Sequence, residues 1–144
     1  MPGGMTSPAY GYATFAAIKL VGYTAAAYAI RRYYAGSSSH PLLVGAARTG
    51  IGLVLGAAYG LGVAYAGSRL GDRAGPVAYL VLFYGGLFPV RVVEWWLVIW
   101  VFVDRRVEAP WKGWTVAVVG AVLSYLLDIP AMIGFIATGG LWIC

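Results

Sequence analysis

The chain has 144 residues, of which 61% are apolar and only 10% charged, with a mean hydropathy of +0.79 and a net charge of +5. A soluble domain carries about 25% charged residues, and this sequence contains no Asn and no Gln, so its main solvent is expected to be lipid. The basic residues stand mostly at the ends of apolar runs, which points to membrane topology and anionic headgroups and away from nucleic acid as a partner.

The first eight residues lack the basic stretch of a signal peptide, so the first apolar run is expected to be a permanent span. Each of four apolar runs is long enough to cross a hydrocarbon core of about 30 Å, which takes about 20 helical residues. Strict apolar–polar alternation is absent, and lipid leaves backbone groups no water, so the spans are predicted to be helices and not barrel strands. Pro8, Pro41, Pro76 and Pro110 precede the runs at spacings of 33, 35 and 34 residues. Proline suits the first position of a helix, where the missing N–H has no intrahelical partner. Ser7, Gly75 and Ser37 to Ser39 lie at or beside the cap positions. The expected helices cover approximately residues 8–34, 41–69, 76–104 and 110–141. The predicted fold is all-α, an antiparallel four-helix transmembrane bundle forming one domain over residues 1–144.

Helix 1 carries Lys19 near its middle. In helix 2, Arg48 begins a ridge of small residues that continues through Gly52, Gly56, Gly60, Ala64 and Ser68, one every four residues. Such a ridge lets two helix backbones approach closely, within the bundle or between subunits. Arg48 is expected to snorkel to the interface, where it could hold a lipid phosphate. Helix 3 carries Arg91 and Glu94 at mid-depth, three residues apart and therefore on one face. Helix 4 carries Asp128 equally deep. Glu94 and Asp128 are too short to snorkel, and charges at membrane depth are costly and commonly functional. Lys19, Arg91, Glu94 and Asp128 sum to zero charge and are predicted to form one intramembrane cluster, with Arg91 pairing to Glu94, and Asp128 pairing to Lys19 or Arg91. Two interior prolines, Pro89 after Gly85-Gly86 and Pro130 after Asp128, are candidate hinges that free the carbonyls of Gly85 and Leu126.

Aromatic residues mark the expected interfaces: Tyr10, Tyr12, Tyr33, Tyr34, Trp111, Trp114 and Trp142. Trp95, Trp96 and Trp100 sit deeper and are read as interhelical bulk or as a flat wall for a lipid or pigment. The first and third turns carry Arg31, Arg32, Arg105, Arg106 and Lys112, against Arg69 and Arg73 in the second. That bias puts the first and third turns in the cytoplasm of an inner membrane and both termini outside.

Catalytic chemistry finds little support. The single cysteine, Cys144, and the single histidine, His40, cannot assemble a zinc site or a pair of haem ligands. There is no nucleophile elbow and no phosphate loop, so neither cofactor, metal nor catalytic residue is expected. An acid–base reaction on a lipid by Glu94 and Asp128 remains open. Three functions follow in order: an oligomeric transport or permeation unit, a structural subunit of a larger membrane complex, and a lipid-binding or lipid-modifying protein.

Overall fold

The computed structural model describes residues 8–34, 39–70, 76–106 and 108–138. Those residues form four helices and no strand: α1 (Pro8–Tyr33), α2 (Pro41–Leu70), α3 (Pro76–Phe102) and α4 (Pro110–Thr138). At 26, 30, 27 and 29 residues, each is about 40 Å long at 1.5 Å per residue. All four contain a segment long and apolar enough to cross a membrane: Ala13–Tyr33, Pro41–Arg69, Phe83–Phe102 and Pro110–Pro130. The protein is a multi-pass four-helix membrane bundle.

Every helix begins at one of the four evenly spaced prolines. The geometry is clearest in α2 and α4. The Val44 amide donates to the His40 carbonyl (3.1 Å), and the amides of Lys112 and Gly113 donate to the Ala109 carbonyl (3.0 and 3.2 Å). His40 and Ala109 therefore cap their helices with backbone carbonyls, and the prolines occupy the first helical position, where a missing N–H costs nothing. At the end of α3, the Asp104 carboxylate accepts from the Glu108 amide (3.2 Å) and holds the third turn. Ser7, Ser37, Ser38, Asp72, Arg73, Gly75, Trp142 and Cys144 lie outside the described residues.

Each helix packs against its two neighbours in a ring, α1 on α2, α2 on α3, α3 on α4 and α4 on α1, with α1 on α4 the sparsest seam. Small residues set these approaches. A Cβ on Gly45 would meet the backbone nitrogen and Cα of Thr24 at 2.8 and 2.9 Å, so only glycine lets α2 lie this close to α1 there. Gly113 and Gly120 of α4 lie under the rings of Trp96 and Trp95, which converts two glycines into seats for two large side chains.

The interior is divided along the bundle axis. Toward the first and third turns it is apolar, with Ala27, Ile30, Val44, Val98 and Ile99 buried together with Trp95. Farther along, charged side chains join Phe15, Leu87 and Val92 in the buried interior. The outward surface is apolar, with Val21, Val54, Leu61, Val81, Val119 and Leu126 all exposed, as lipid contact requires. Trp111, Trp114 and Tyr33 are also exposed, near the ends of the helices bordering the first and third turns. The side chains of Tyr10 and Tyr12 lie outside the described set.

Candidate functional site

Five ionisable side chains from all four helices meet inside the bundle. Lys19 Nζ of α1 lies 2.7 Å from Asp128 Oδ1 of α4. Asp128 Oδ2 accepts from Arg91 Nη2 of α3 at 3.2 Å. Arg91 Nη1 is 3.6 Å from Glu94 Oε2 on the same helix. Glu94 Oε2 is in turn 2.6 Å from Arg48 Nη2 of α2. The result is one alternating line of charge, Arg48–Glu94–Arg91–Asp128–Lys19, with a cation at each end. Arg48 and Glu94 are fully buried, Arg91 and Lys19 nearly so, and Asp128 is the most accessible at 8%.

Counted in helical rise, the line runs lengthwise through the bundle from Arg48 to Asp128. Arg48 is seven residues past Pro41 and Glu94 eight before Phe102, or about 10–12 Å from the ends that border the first and third turns. Asp128 is eighteen residues past Pro110, about 27 Å from the same side. The apolar block around Val44, Val98 and Ile99 closes the Arg48 end, whereas the Asp128 end is the less buried one.

Two features depart from the sequence expectations. Arg48 does not snorkel to the interface: it is 0% exposed and turned into the bundle. Its helix face explains this. Arg48, Gly52 and Gly56 share one stripe of α2, and all three are buried, so the face that packs inward takes Arg48 with it. A desolvated guanidinium requires a counter-charge, which Glu94 provides, and Arg48 rather than Arg91 is the closer partner of Glu94. The second departure follows from the first. With Arg48 included, the cluster holds three basic and two acidic groups, so it is not neutral but carries a net charge of +1 when all are ionised.

Arg48 is also held by uncharged neighbours that the sequence reading missed. Its guanidinium carbon stands 4.8 Å from the Tyr23 ring centre and 5.2 Å from that of Trp95, distances at which the ring faces attract a cation. Tyr23 and Trp95 meet edge to face at 5.6 Å. Ser124 of α4 gathers all three: its Oγ accepts from Trp95 Nε1 (3.0 Å), Tyr23 Oη (3.2 Å) and Arg48 Nη2 (3.3 Å), and donates to the Gly120 carbonyl (2.9 Å). A hydroxyl oxygen has two lone pairs, so three donors compete for two places. The sequence signal for this hub was weak, because a lone serine in an apolar helix normally bonds back to its own backbone. Trp95 is the buried interhelical tryptophan. Trp96 stacks on Trp114 at 5.0 Å, and Trp100 is about half exposed.

The small-residue ridge of α2 divides at mid-length. Gly52 and Gly56 are buried, Gly60 is partly covered, and Ala64 and Ser68 are exposed. A Cβ on Gly60 would meet nothing within 4 Å. The helices α3 and α4 continue through Pro89 and Pro130, both of which are exposed. Upstream of Pro89, the carbonyls of Phe83 and Tyr84 accept from Tyr59 Oη of α2 (3.1 Å) and Tyr125 Oη of α4 (2.5 Å). Those acceptors lie one and two residues before Gly85. Both tyrosines thus tie neighbouring helices to the turn that precedes the proline, while the carbonyl that Pro89 itself leaves without its helical donor is that of Gly85. Gly85 is exposed with nothing near its Cβ position, and Gly86 packs on the Tyr59 hydroxyl. His40 is exposed, and no group of three potential metal-binding side chains occurs among the described residues.

No family model, no curated protein and no solved structure matches this chain. Its function therefore has to be read from the buried line of charge.

Proposed function

We propose that this chain is an ion-permeation or transport unit of a cell membrane, active as an oligomer, with the buried charge line as its ion site. One observation carries the reading: five ionisable side chains, contributed by all four helices, form a continuous chain of contacts lengthwise through the bundle. Each charge taken out of water costs several kcal/mol even after relaxation. A single ion pair would suffice to fix helix register. A line of five, climbing about 15 Å in depth, is more than register needs and supplies polar groups where an ion would otherwise meet hydrocarbon. In this reading Glu94 and Asp128 exchange partners as an ion or proton passes, and Lys19, Arg48 and Arg91 set the field around them. Pro89 and Pro130 supply the compliance.

The oligomer rests on α2. Gly60, Ala64 and Ser68 continue a close-packing ridge onto a face that, among the described residues, is partly covered at Gly60 and exposed at Ala64 and Ser68. The same face favours the second reading, in which the chain is a structural subunit of a larger membrane complex and another protein's helix lies there. A headgroup site at Arg48 loses its support, since that guanidinium is inside the bundle.

Purified protein reconstituted in liposomes tests the first reading. Wild-type vesicles are expected to dissipate an imposed ion gradient, and Glu94→Gln and Asp128→Asn to slow that flux while remaining folded and monodisperse. Wild-type vesicles as tight as empty ones to protons, cations and anions alike would remove the permeation reading.

A further inference from the structure

The charge line is short of one negative charge, and several of its guanidinium N–H groups have no hydrogen-bonded acceptor. Arg48 and Arg91 are 0% and 1% exposed, yet Nε and Nη1 of both lack a hydrogen-bonded acceptor. For Arg91 Nη1 the nearest carboxylate oxygen is Glu94 Oε2 at 3.6 Å, beyond ordinary hydrogen-bond length. On the acceptor side, Glu94 Oε1 is unpartnered, and Glu94 Oε2 and Asp128 Oδ1 sit at ion-pair distance without hydrogen-bond alignment. The surplus is in donors, because Ser124 is already oversubscribed by three of them.

The orphaned donors converge. The position a Cβ would take on Gly52 lies 2.7 Å from Arg48 Nη1 and 3.5 Å from Arg91 Nη1. Two guanidinium edges, one from α2 itself and one from α3, therefore meet against the bare backbone of α2 one turn beyond Arg48, where Gly52 brings no side chain of its own. Two like charges in a desolvated interior repel strongly, and the one Glu94 carboxylate oxygen between them is shared unequally, at 2.6 and 3.6 Å.

We propose that the guanidinium N–H groups that converge over Gly52 bind a small monovalent anion of the halide class. One such ion makes the five-residue line neutral, accepts from Nη1 of both arginines, and screens their repulsion. A divalent anion would over-compensate a surplus of one. A cation would enter a site whose net charge is already positive. The inference rests on the permeation reading for its purpose and names the permeating species, but binding can be measured separately from flux.

The probe is chloride, with nitrate as competitor and gluconate as an anion too large for the site. In detergent, the protein is expected to broaden the chloride-35 NMR line, nitrate to reverse the broadening, and gluconate to leave it unchanged. Gly52→Ala places its methyl against the flexible tip of Arg48 and not against backbone, so the fold is retained. That variant is expected to weaken chloride binding about tenfold, the worth of one hydrogen bond to a charged group. Arg91→Lys, which keeps the charge and removes the fork, is expected to act in the same direction. In potassium-chloride-loaded liposomes, valinomycin is expected to release chloride through the wild type and to release little through Gly52→Ala. Four outcomes separate the ideas. Binding with chloride flux supports both. Binding without any ion flux keeps the anion site and removes the permeation reading. Proton or cation flux with no chloride broadening overturns the anion site and leaves permeation standing. Neither binding nor flux overturns both.

Discussion

Arg48 Nη2 lies 2.6 Å from Glu94 Oε2, and neither side chain has any exposed surface. Removing one partner leaves a buried charge without compensation, which costs about 3–5 kcal/mol. Arg48→Leu and Glu94→Leu are each expected to lower stability by that amount. The double variant, which replaces the pair by apolar volume, is expected to recover most of it. Unfolding of the four proteins by SDS titration from mixed micelles measures the coupling. Additive single effects would show that the two groups do not depend on one another.

Tyr23, Arg48 and Trp95 each direct a donor at Ser124 Oγ. Ser124→Ala strands those donors in a desolvated interior and is expected to cost about 1–3 kcal/mol. Trp95 loses its Nε1 acceptor in the same change, so its fluorescence emission should move to shorter wavelength. An unchanged emission spectrum with unchanged stability would show that the hub is not formed.

Glycines on α2 are expected to divide by what lies above them. Gly45→Ala forces a methyl into the Thr24 backbone and should separate α1 from α2, at a cost of about 1–3 kcal/mol as for other overpacked cores. Gly60→Ala faces open space within the chain and should stabilise the isolated subunit by about 0.5–1 kcal/mol through higher helix propensity. If Gly60 lies at a subunit contact, the same change lowers the oligomer fraction. Thermal melts with size-exclusion chromatography in detergent read both effects.

Tyr125 donates to the Tyr84 carbonyl in the turn before Pro89. Tyr125→Phe is expected to cost about 1 kcal/mol in the wild type and less in a Pro89→Ala background, where loss of the ring that crowds the preceding turn lets the helix straighten and shifts the Tyr84 carbonyl. A double-mutant cycle by SDS unfolding checks this. Equal costs in both backgrounds would show that the bond is independent of the proline.

Much of the architecture was legible in the chain. Proline tolerates only the first helical position without penalty, so Pro8, Pro41, Pro76 and Pro110 mark the four starts. Apolar length does the rest, because a membrane admits no other use for such runs. Lys19, Arg91, Glu94 and Asp128 also announced themselves, since a charge at that depth has to face a counter-charge inside the bundle.

The partners of those charges depended on the tertiary structure. Pairing needs the rotation of each helix about its axis, which packing sets and composition does not. Arg48 shows the difference. Counted along the chain it stands one to two turns inside the interface, within reach of snorkelling. Placed in the bundle it shares the buried stripe of Gly52 and Gly56 and meets Glu94, Tyr23, Trp95 and Ser124 from three other helices. The sequence by itself determined four membrane helices and a charged interior. Only the packed bundle decided that the interior carries an extra cation, because low-dielectric burial makes every pairing a matter of a few ångströms.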